Sequence, residues 1–301
     1  MTPCGIIAVN KPEGFTSLDV VNVMRGLFGT RAVGHAGTLD PMATGVLVVL
    51  IGRAAKAAEY IQHDEKTYEA TLRLGIETDT EDITGKVLSI SGKLPTEDEV
   101  IAVCREFCGE IEQIPPMFSA LKVGGRKLVD LARAGKTVER KPRKITVFSL
   151  ECEKISASDY KLTVRCSGGT YIRTLCADIG KKLGCGGVMA ALTRTDACGF
   201  SLSDCKTLDE LKNMTENERF SLLLPVEKLF LDLKKVTLEP FYEKLFRSGC
   251  EIYQRKIGTN FQIGETVAVY NSQGVFVALA KISEFPDGTA VKSIKFFDLN
   301  S

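Results

Sequence analysis

Lys66-Thr67-Tyr68-Glu69-Ala70-Thr71-Leu72-Arg73-Leu74 alternates in polarity without a break. Tyr68, Ala70, Leu72 and Leu74 share one face, while Thr67, Glu69, Thr71 and Arg73 share the other. That is the period of a half-buried β-strand. Tyr68 therefore points the same way as an apolar row, toward the interior. Upstream, Ile6 to Val9 reads as a short strand, followed by a turn at Asn10-Lys11-Pro12-Glu13-Gly14. Thr16 or Ser17 then caps a helix with Val20, Val21, Met24, Leu27 and Phe28 on its apolar face, ended by Gly29. A compact loop from Gly34 to Pro41 leads through Thr44-Gly45 into Val46 to Ile51, an apolar run that a buried strand explains.

Downstream, Thr96-Glu97-Asp98-Glu99 has the form of a capping box and opens a helix through Val100, Val103, Cys104 and Phe107. Ile145 to Leu150 and Tyr160 to Cys166 read as strands. Gly168-Gly169-Thr170 opens a helix with Ile172, Leu175, Ile179 and Leu183 inward, stopped by Gly184. Strands outnumber helices and no regular βαβ alternation is visible. The class expected is therefore α+β, on a mixed, largely antiparallel sheet with flanking helices. A helix near Glu216 to Leu224, then Pro225 and a mixed Lys/Leu stretch, place a boundary at about 232. Residues 1–232 are expected to form one domain. Residues 233–301 form a small β-rich module with one short helix (Pro240 to Ser248) and strands such as Val267 to Tyr270 and Val275 to Leu279.

With 44% apolar and 26% charged residues in 301, the composition is that of an ordinary globular chain. No apolar run reaches the roughly 18 residues of a membrane span. The N-terminus has no basic segment leading into an apolar one, so the expected location is the cytoplasm. Ten cysteines are scattered from Cys4 to Cys250 without a C-x-x-C pair, and there are only two histidines, so reduced thiols are expected and a metal site is not. Net charge is +1, but Lys122 to Lys144 holds nine basic and two acidic residues, a local charge of +7. Such a stretch in a neutral chain suits a polyanion, with a solvated face as the plainer reading. Arg133, beside Leu128 and Leu131, is expected to lend its stem to packing.

Asp40 is the residue most suited to chemistry. Glycines at 34, 37 and 45 surround it, and Pro41 biases its backbone away from helix. A structural turn explains the same pattern, and His35 alone reads as a loop or surface residue. Asp79 to Gly85 is acidic but lacks the spacing of a calcium loop, so it reads as a solvated turn. No phosphate-binding loop, dinucleotide fingerprint or metal-ligand motif is present, so any catalysis is expected to run without a cofactor.

Gly34-His35-Ala36-Gly37-Thr38-Leu39-Asp40-Pro41-Met42-Ala43-Thr44-Gly45 resembles the signature of the TruB family of tRNA pseudouridine-55 synthases. Asn10 to Ser17, Lys66 to Ala70 with Arg73-Leu74-Gly75 and Thr78-Asp79-Thr80, Pro115 to Lys122 and Gly168 to Leu175 resemble four further blocks in the same order. The resemblance implies a pseudouridine-synthase fold with a basic RNA-binding insertion at about 115–144 and a PUA-like C-terminal module. It implies a bacterial-type enzyme acting as a monomer on the T-arm of tRNA, with no protein partner and with the target base flipped out. It makes Asp40 the nucleophile, Arg173 its ion-pair partner, and Tyr68 the base-stacking residue and candidate for proton transfer at carbon 5. His35, Lys11, Tyr171 and Leu192 fall at substrate-pocket positions, and Arg126, Lys127 and Lys136 are expected on phosphates. Two alternatives stay open: a guide-RNA-dependent synthase subunit, and a tRNA-binding or tRNA-folding protein without catalysis.

Overall fold

The strand that opens the sequence reading forms as the alternation demands. Tyr68, Ala70, Leu72 and Leu74 are buried, and Lys66–Leu74 lies in the middle of a large sheet. The computed structural model describes residues 3–61, 65–119 and 121–297, except the side chains of Lys122 and Lys127. In that sheet Lys66–Leu74 pairs antiparallel with Asp159–Cys166 on one side and with Gly187–Ala197 on the other. Beyond Asp159–Cys166 come Arg143–Lys154 and then Gly109–Gln113, both antiparallel. Beyond Gly187–Ala197 come Thr44–Ile51, joined in parallel, then Gly5–Lys11, antiparallel, and Lys206–Thr207, parallel. The sheet is thus mixed and largely antiparallel.

Two strands depart from one-sided burial, and their sequence shows why. Gly5–Lys11 and Thr44–Ile51 are buried on both faces, which suits their near-continuous apolar runs. One face of the sheet packs against the helices Ser17–Leu27 and Ile172–Lys182 through Ile7, Val9, Leu47, Val20, Met24, Leu175 and Ile179. The other face sets Ile6, Ala8, Val46, Val48 and Leu50 against Ala54, Phe200 and the segment around Leu224. Of the two cap candidates, Thr16 caps the first helix, in a capping box with Asp19. A second box joins Thr96 to Glu99, as the sequence pattern requires.

A separate five-stranded sheet carries the C-terminal module, in the order Lys235–Leu238, Thr266–Asn271, Phe276–Phe285, Gly288–Phe296, Ile252–Tyr253. Its core is Val236, Leu238, Phe246, Val267, Val269 and Ile282. Besides the expected helix, found at Pro240–Arg247, one turn of helix spans Gln254–Ile257. A single polar turn leaves no periodic signal to read. Phe230, Tyr270, Phe276 and Phe297 pack with Ala57 and tie the module to Gly52–Tyr60, the segment that follows Thr44–Ile51. No helix among the described residues is long and apolar enough to cross a membrane.

Candidate active site

The Asp40 loop is held at almost every polar step. Gly37 and Gly45 have φ of +80° and +105°, a region that L side chains rarely enter. A Cβ at Gly45 would lie 2.2 Å from the Arg194 carbonyl oxygen, so close backbone approach demands glycine there. Leu39 is buried in the core, and its N–H donates to Ser17 Oγ at 2.9 Å while Ser17 Oγ lies 3.2 Å from the Leu39 carbonyl. Pro41's carbonyl accepts from Gly14 N at 2.8 Å and from Lys11 Nζ at 3.2 Å. The residues before and after Asp40 are therefore both pinned, and the carboxylate has little freedom to wander.

Arg173 meets that carboxylate with two nitrogens. Nη2 donates to Asp40 Oδ1 at 3.2 Å, and Nε lies 2.8 Å from Oδ2, an ion-pair approach without the alignment of a second hydrogen bond. The guanidinium is buried, and its remaining donors are used on backbone: Nη1 to Thr80 O at 3.1 Å and Nη2 to Phe118 O at 2.9 Å. Asp40 keeps 34% of its side-chain surface open, enough for a substrate atom to approach. Burial pushes its carboxyl above the ordinary carboxylate range; Arg173 pulls the other way, and Asp82 adds a further upward push. The Arg173 contact thus limits a rise that burial sets.

Asp82 corrects the sequence reading of residues 79–85 as a solvated turn. Its side chain is buried, with Oδ2 3.6 Å from Arg173 Nη1 and Oδ1 accepting from Thr80 Oγ1, Thr84 N and Thr84 Oγ1 at 2.9, 3.0 and 2.6 Å. Glu81 adopts φ 63° and accepts from Thr174 Oγ1 at 2.5 Å, tying the turn to the helix that carries Arg173. A left-handed non-glycine residue is strained backbone of the kind that gathers at functional sites. The acidic run draws two of its carboxyls inward because a buried guanidinium and the Thr174 hydroxyl await them. That compensation comes from about ninety residues downstream and has no trace in local spacing.

The other expected residues divide into two groups. Tyr68 and Leu192 are buried, and both belong to one apolar cluster with Leu39 and Ile172. Leu192 pairs in register with Ala70, the next residue on Tyr68's face. Tyr171 is the residue before the Ile172–Lys182 helix, and burial pushes its hydroxyl above the ordinary range. His35 is half-buried with Nδ1 unpartnered, and burial and the Arg194 charge favour its neutral form. Lys11 is fully buried, its ammonium spent on the carbonyls of Pro12, Phe15 and Pro41 at 2.9, 2.5 and 3.2 Å. Burial pushes it down to about 8. That geometry braces the loop beside Asp40. Arg126 and Lys136 are exposed on the insertion, away from these contacts, and Lys127's side chain lies outside the described residues. Arg133 is exposed too.

Sequence reasoning also missed Arg194 and Gln113. Arg194 is fully buried, donating from Nε to Val46 O at 2.8 Å and from Nη2 to Gly37 O at 3.2 Å. An arginine in an alternating strand reads as outward-facing, and only the loop it braces turns it in. Gln113 clasps Tyr171 from the far edge of the sheet.

A fixed carboxylate opposed by a buried arginine and an inward-facing tyrosine are thus carried on one mixed sheet and its flanking helix. Residues 25–172 match the TruB family pseudouridylate synthase (N terminal domain), and residues 173–231 match the tRNA pseudouridylate synthase B C-terminal domain. The chain belongs to the TruB family. It is 40% identical over 297 residues to tRNA pseudouridine synthase B of Francisella philomiragia, covering 98% of this chain and 95% of that one. The same protein of Francisella tularensis subsp. novicida is also 40% identical over 297 residues, with the same coverage. Among solved structures, a Cbf5-Nop10-Gar1 complex superposes with TM-score 0.75 at 28% identity, covering 98% of this chain and 85% of that chain. An H/ACA RNP bound to a substrate RNA containing 2'-deoxyuridine gives 0.72 at 26%, with the same coverage.

Proposed function

We propose that this chain isomerises uridine 55 in the T-loop of tRNA to pseudouridine, in the cytoplasm and as a monomer, with Asp40 as nucleophile. The observation that carries the reading is the Asp40–Arg173 pair, a pinned carboxylate gripped by two guanidinium nitrogens yet still open to an incoming atom. The isomerisation exchanges a glycosidic C–N bond for a C–C bond. It balances without a co-reactant, since carbon 5 loses a proton and N1 gains one. Asp40 adds to the base or attacks the sugar; in either route the uracil is freed, turned, and rejoined through carbon 5, and Asp40 leaves as the carboxylate. Arg173 favours that departing charge, and the partly desolvated carboxylate is the more reactive for its burial. Tyr68 stacks on the uracil and serves the proton transfer at carbon 5. Tyr171 and Leu192 line the base, and His35 fills the place it vacates.

A uridine inside a folded loop is out of reach of Asp40, so the base leaves its stack first. Arg126, Lys127 and Lys136 contact phosphates, and the folded arm is recognised by shape and backbone more than by sequence. The C-terminal module, taken as residues 233–301, adds RNA contacts. The deciding experiment incubates the purified chain with a tRNA transcript lacking any guide RNA and maps pseudouridine. Conversion at position 55 is expected, and it should survive exhaustive EDTA treatment provided the tRNA stays folded. Activity lost to EDTA and restored by metal with tRNA folding unchanged would overturn the cofactor-free chemistry. The second reading, a guide-RNA-dependent subunit, draws on the likeness to the Cbf5 complex. Conversion appearing only with a guide RNA and partner proteins would establish it instead.

A further inference from the structure

The strand Gly109–Gln113 is the last of the large sheet, and Gln113 pairs in register with Arg143. The chain leaves the sheet after Gln113 and returns at Arg143, so the basic insertion hangs from this pair. Gln113 is 2% exposed, and its amide is spent entirely on one residue 58 positions away. Nε2 donates to Tyr171 O at 3.0 Å, and Tyr171 N donates to Oε1 at 2.8 Å. Tyr171 is the N-cap of the helix that carries Arg173, and no side chain of its own caps that helix. Gln113 thus holds the backbone at the entry to the first turn. The insertion also touches Arg173 itself through Phe118 O, which accepts from Nη2 at 2.9 Å. Its neck is closed by Arg140 Nη1 on Pro115 O at 3.0 Å.

We propose that Gln113 is a positioning residue for the isomerisation. It joins the root of the RNA-binding insertion to the backbone of Tyr171, and through it sets the placement of Tyr171 and Arg173 against Asp40. The inference rests on the activity proposed above. A strand end that needed only filling would be served by an apolar side chain. A buried primary amide must be satisfied, and here its two ends match the backbone donor and acceptor of one residue, Tyr171. Small displacements of such groups are costly, since misplacement by about 1 Å can lower a rate a hundredfold.

The test measures single-turnover conversion and tRNA affinity side by side for the full chain and for Gln113→Ala and Gln113→Glu. Gln113→Ala should lower the saturated rate by about tenfold or more while tRNA affinity stays within about threefold of the parent. Gln113→Glu keeps the shape and adds a proton switch. Ionised, it accepts from Tyr171 N–H but sets an oxygen against the Tyr171 carbonyl; protonated, it can donate there again. Its rate relative to the parent should therefore climb as the pH is lowered. A Gln113→Ala rate within about twofold of the parent, or a loss confined to tRNA affinity, overturns the proposal. If Gln113→Ala fails to fold, the Gln113→Glu ratio decides alone, a rise at low pH supporting the role and a flat ratio refuting it. An inactive parent chain would refute the proposed function itself, whereas an active parent with unaffected variants removes only the role of Gln113.

Discussion

The Asp40 loop and the basic insertion, a small hairpin and short helix, both join strands of the large sheet, and they are built on opposite plans. Around Asp40, buried Lys11, Ser17 and Arg194 reach in from three elements and grip backbone carbonyls and an N–H. From Val123 to Lys144, Leu128 is the one buried side chain among those described, and Arg126, Arg133 and Lys136 stand in solvent. The first plan spends buried charge to hold two oxygen atoms still. The second spends almost no packing and presents charge. The difference teaches where each kind of change should register: in turnover for the loop and its braces, and in affinity and salt dependence for the insertion.

The sharpest break of that comparison is Asp40→Asn. The amide nearly preserves shape, so fold and tRNA binding should persist, while conversion should fall by at least about a thousandfold. Turnover within tenfold of the parent, a barrier change of about 1.4 kcal/mol, would remove Asp40 as nucleophile. Next in size is Arg173→Lys. Lysine keeps the charge but lacks the planar fork, and four contacts in the structure use the fork's geometry. The saturated rate should drop by about a hundredfold, comparable to losing one well-placed donor elsewhere, with tRNA affinity little changed. A loss confined to affinity would mean that Arg173 serves RNA binding.

Much of this division was legible beforehand. Alternation in Lys66–Leu74 placed Tyr68 inward, and the glycines around Asp40 marked a tight loop in which Gly37 and Gly45 take positive φ. Local pattern reports which way a side chain faces, and so most of the elements that were read came out close to their observed bounds, while Gly109–Gln113 and the short elements of the insertion were not read. It does not report which strands become neighbours. Gly187–Ala197 was not read as a strand, and so neither was its parallel join to Thr44–Ile51. Nor does it report buried charge. Asp82 and Arg194 look like solvent residues until Arg173 and the Asp40 loop arrive from elsewhere in the chain. The polar residues around the site were hidden for the physical reason that makes them useful, since each is paid for by a partner distant in sequence.

Asp82 offers a finer test through pH. Asp40 must be ionised to act, and burial with Asp82 holds its carboxyl above the ordinary range. Activity should therefore be complete above that raised value and vanish as the pH falls through it. The acid limb of kcat/KM should lie higher than an exposed aspartate would give. Asp82→Asn removes one of the two upward pushes and leaves Arg173 in place, so the limb should move to lower pH. The plateau should fall by less than for Arg173→Lys, because the Asp82 contact is the longer one at 3.6 Å. An unmoved or rising limb would show that Asp82 does not act on Asp40 electrostatically.

The smallest expected effect lies in the insertion, and there the comparison is easiest to lose. Arg126, Arg133 and Lys136 are exposed and stand outside the contacts that fix Asp40 and Arg173. Replacing all three by Ala removes three positive charges and should leave the buried core untouched. If each meets a phosphate, the slope of log affinity against log salt should flatten by about 0.7 to 0.9 per lost contact. Affinity at moderate salt should weaken while the saturated rate stays within about twofold of the parent. A collapse of the saturated rate with an unchanged salt slope would place these side chains at the reacting base and erase the distinction between the two loops. No change in either quantity would make the segment a solvated face and pass tRNA binding to other surfaces. The two plans predict a separable outcome because the insertion touches Arg173 through backbone, at Phe118 O, and not through any of the three side chains replaced.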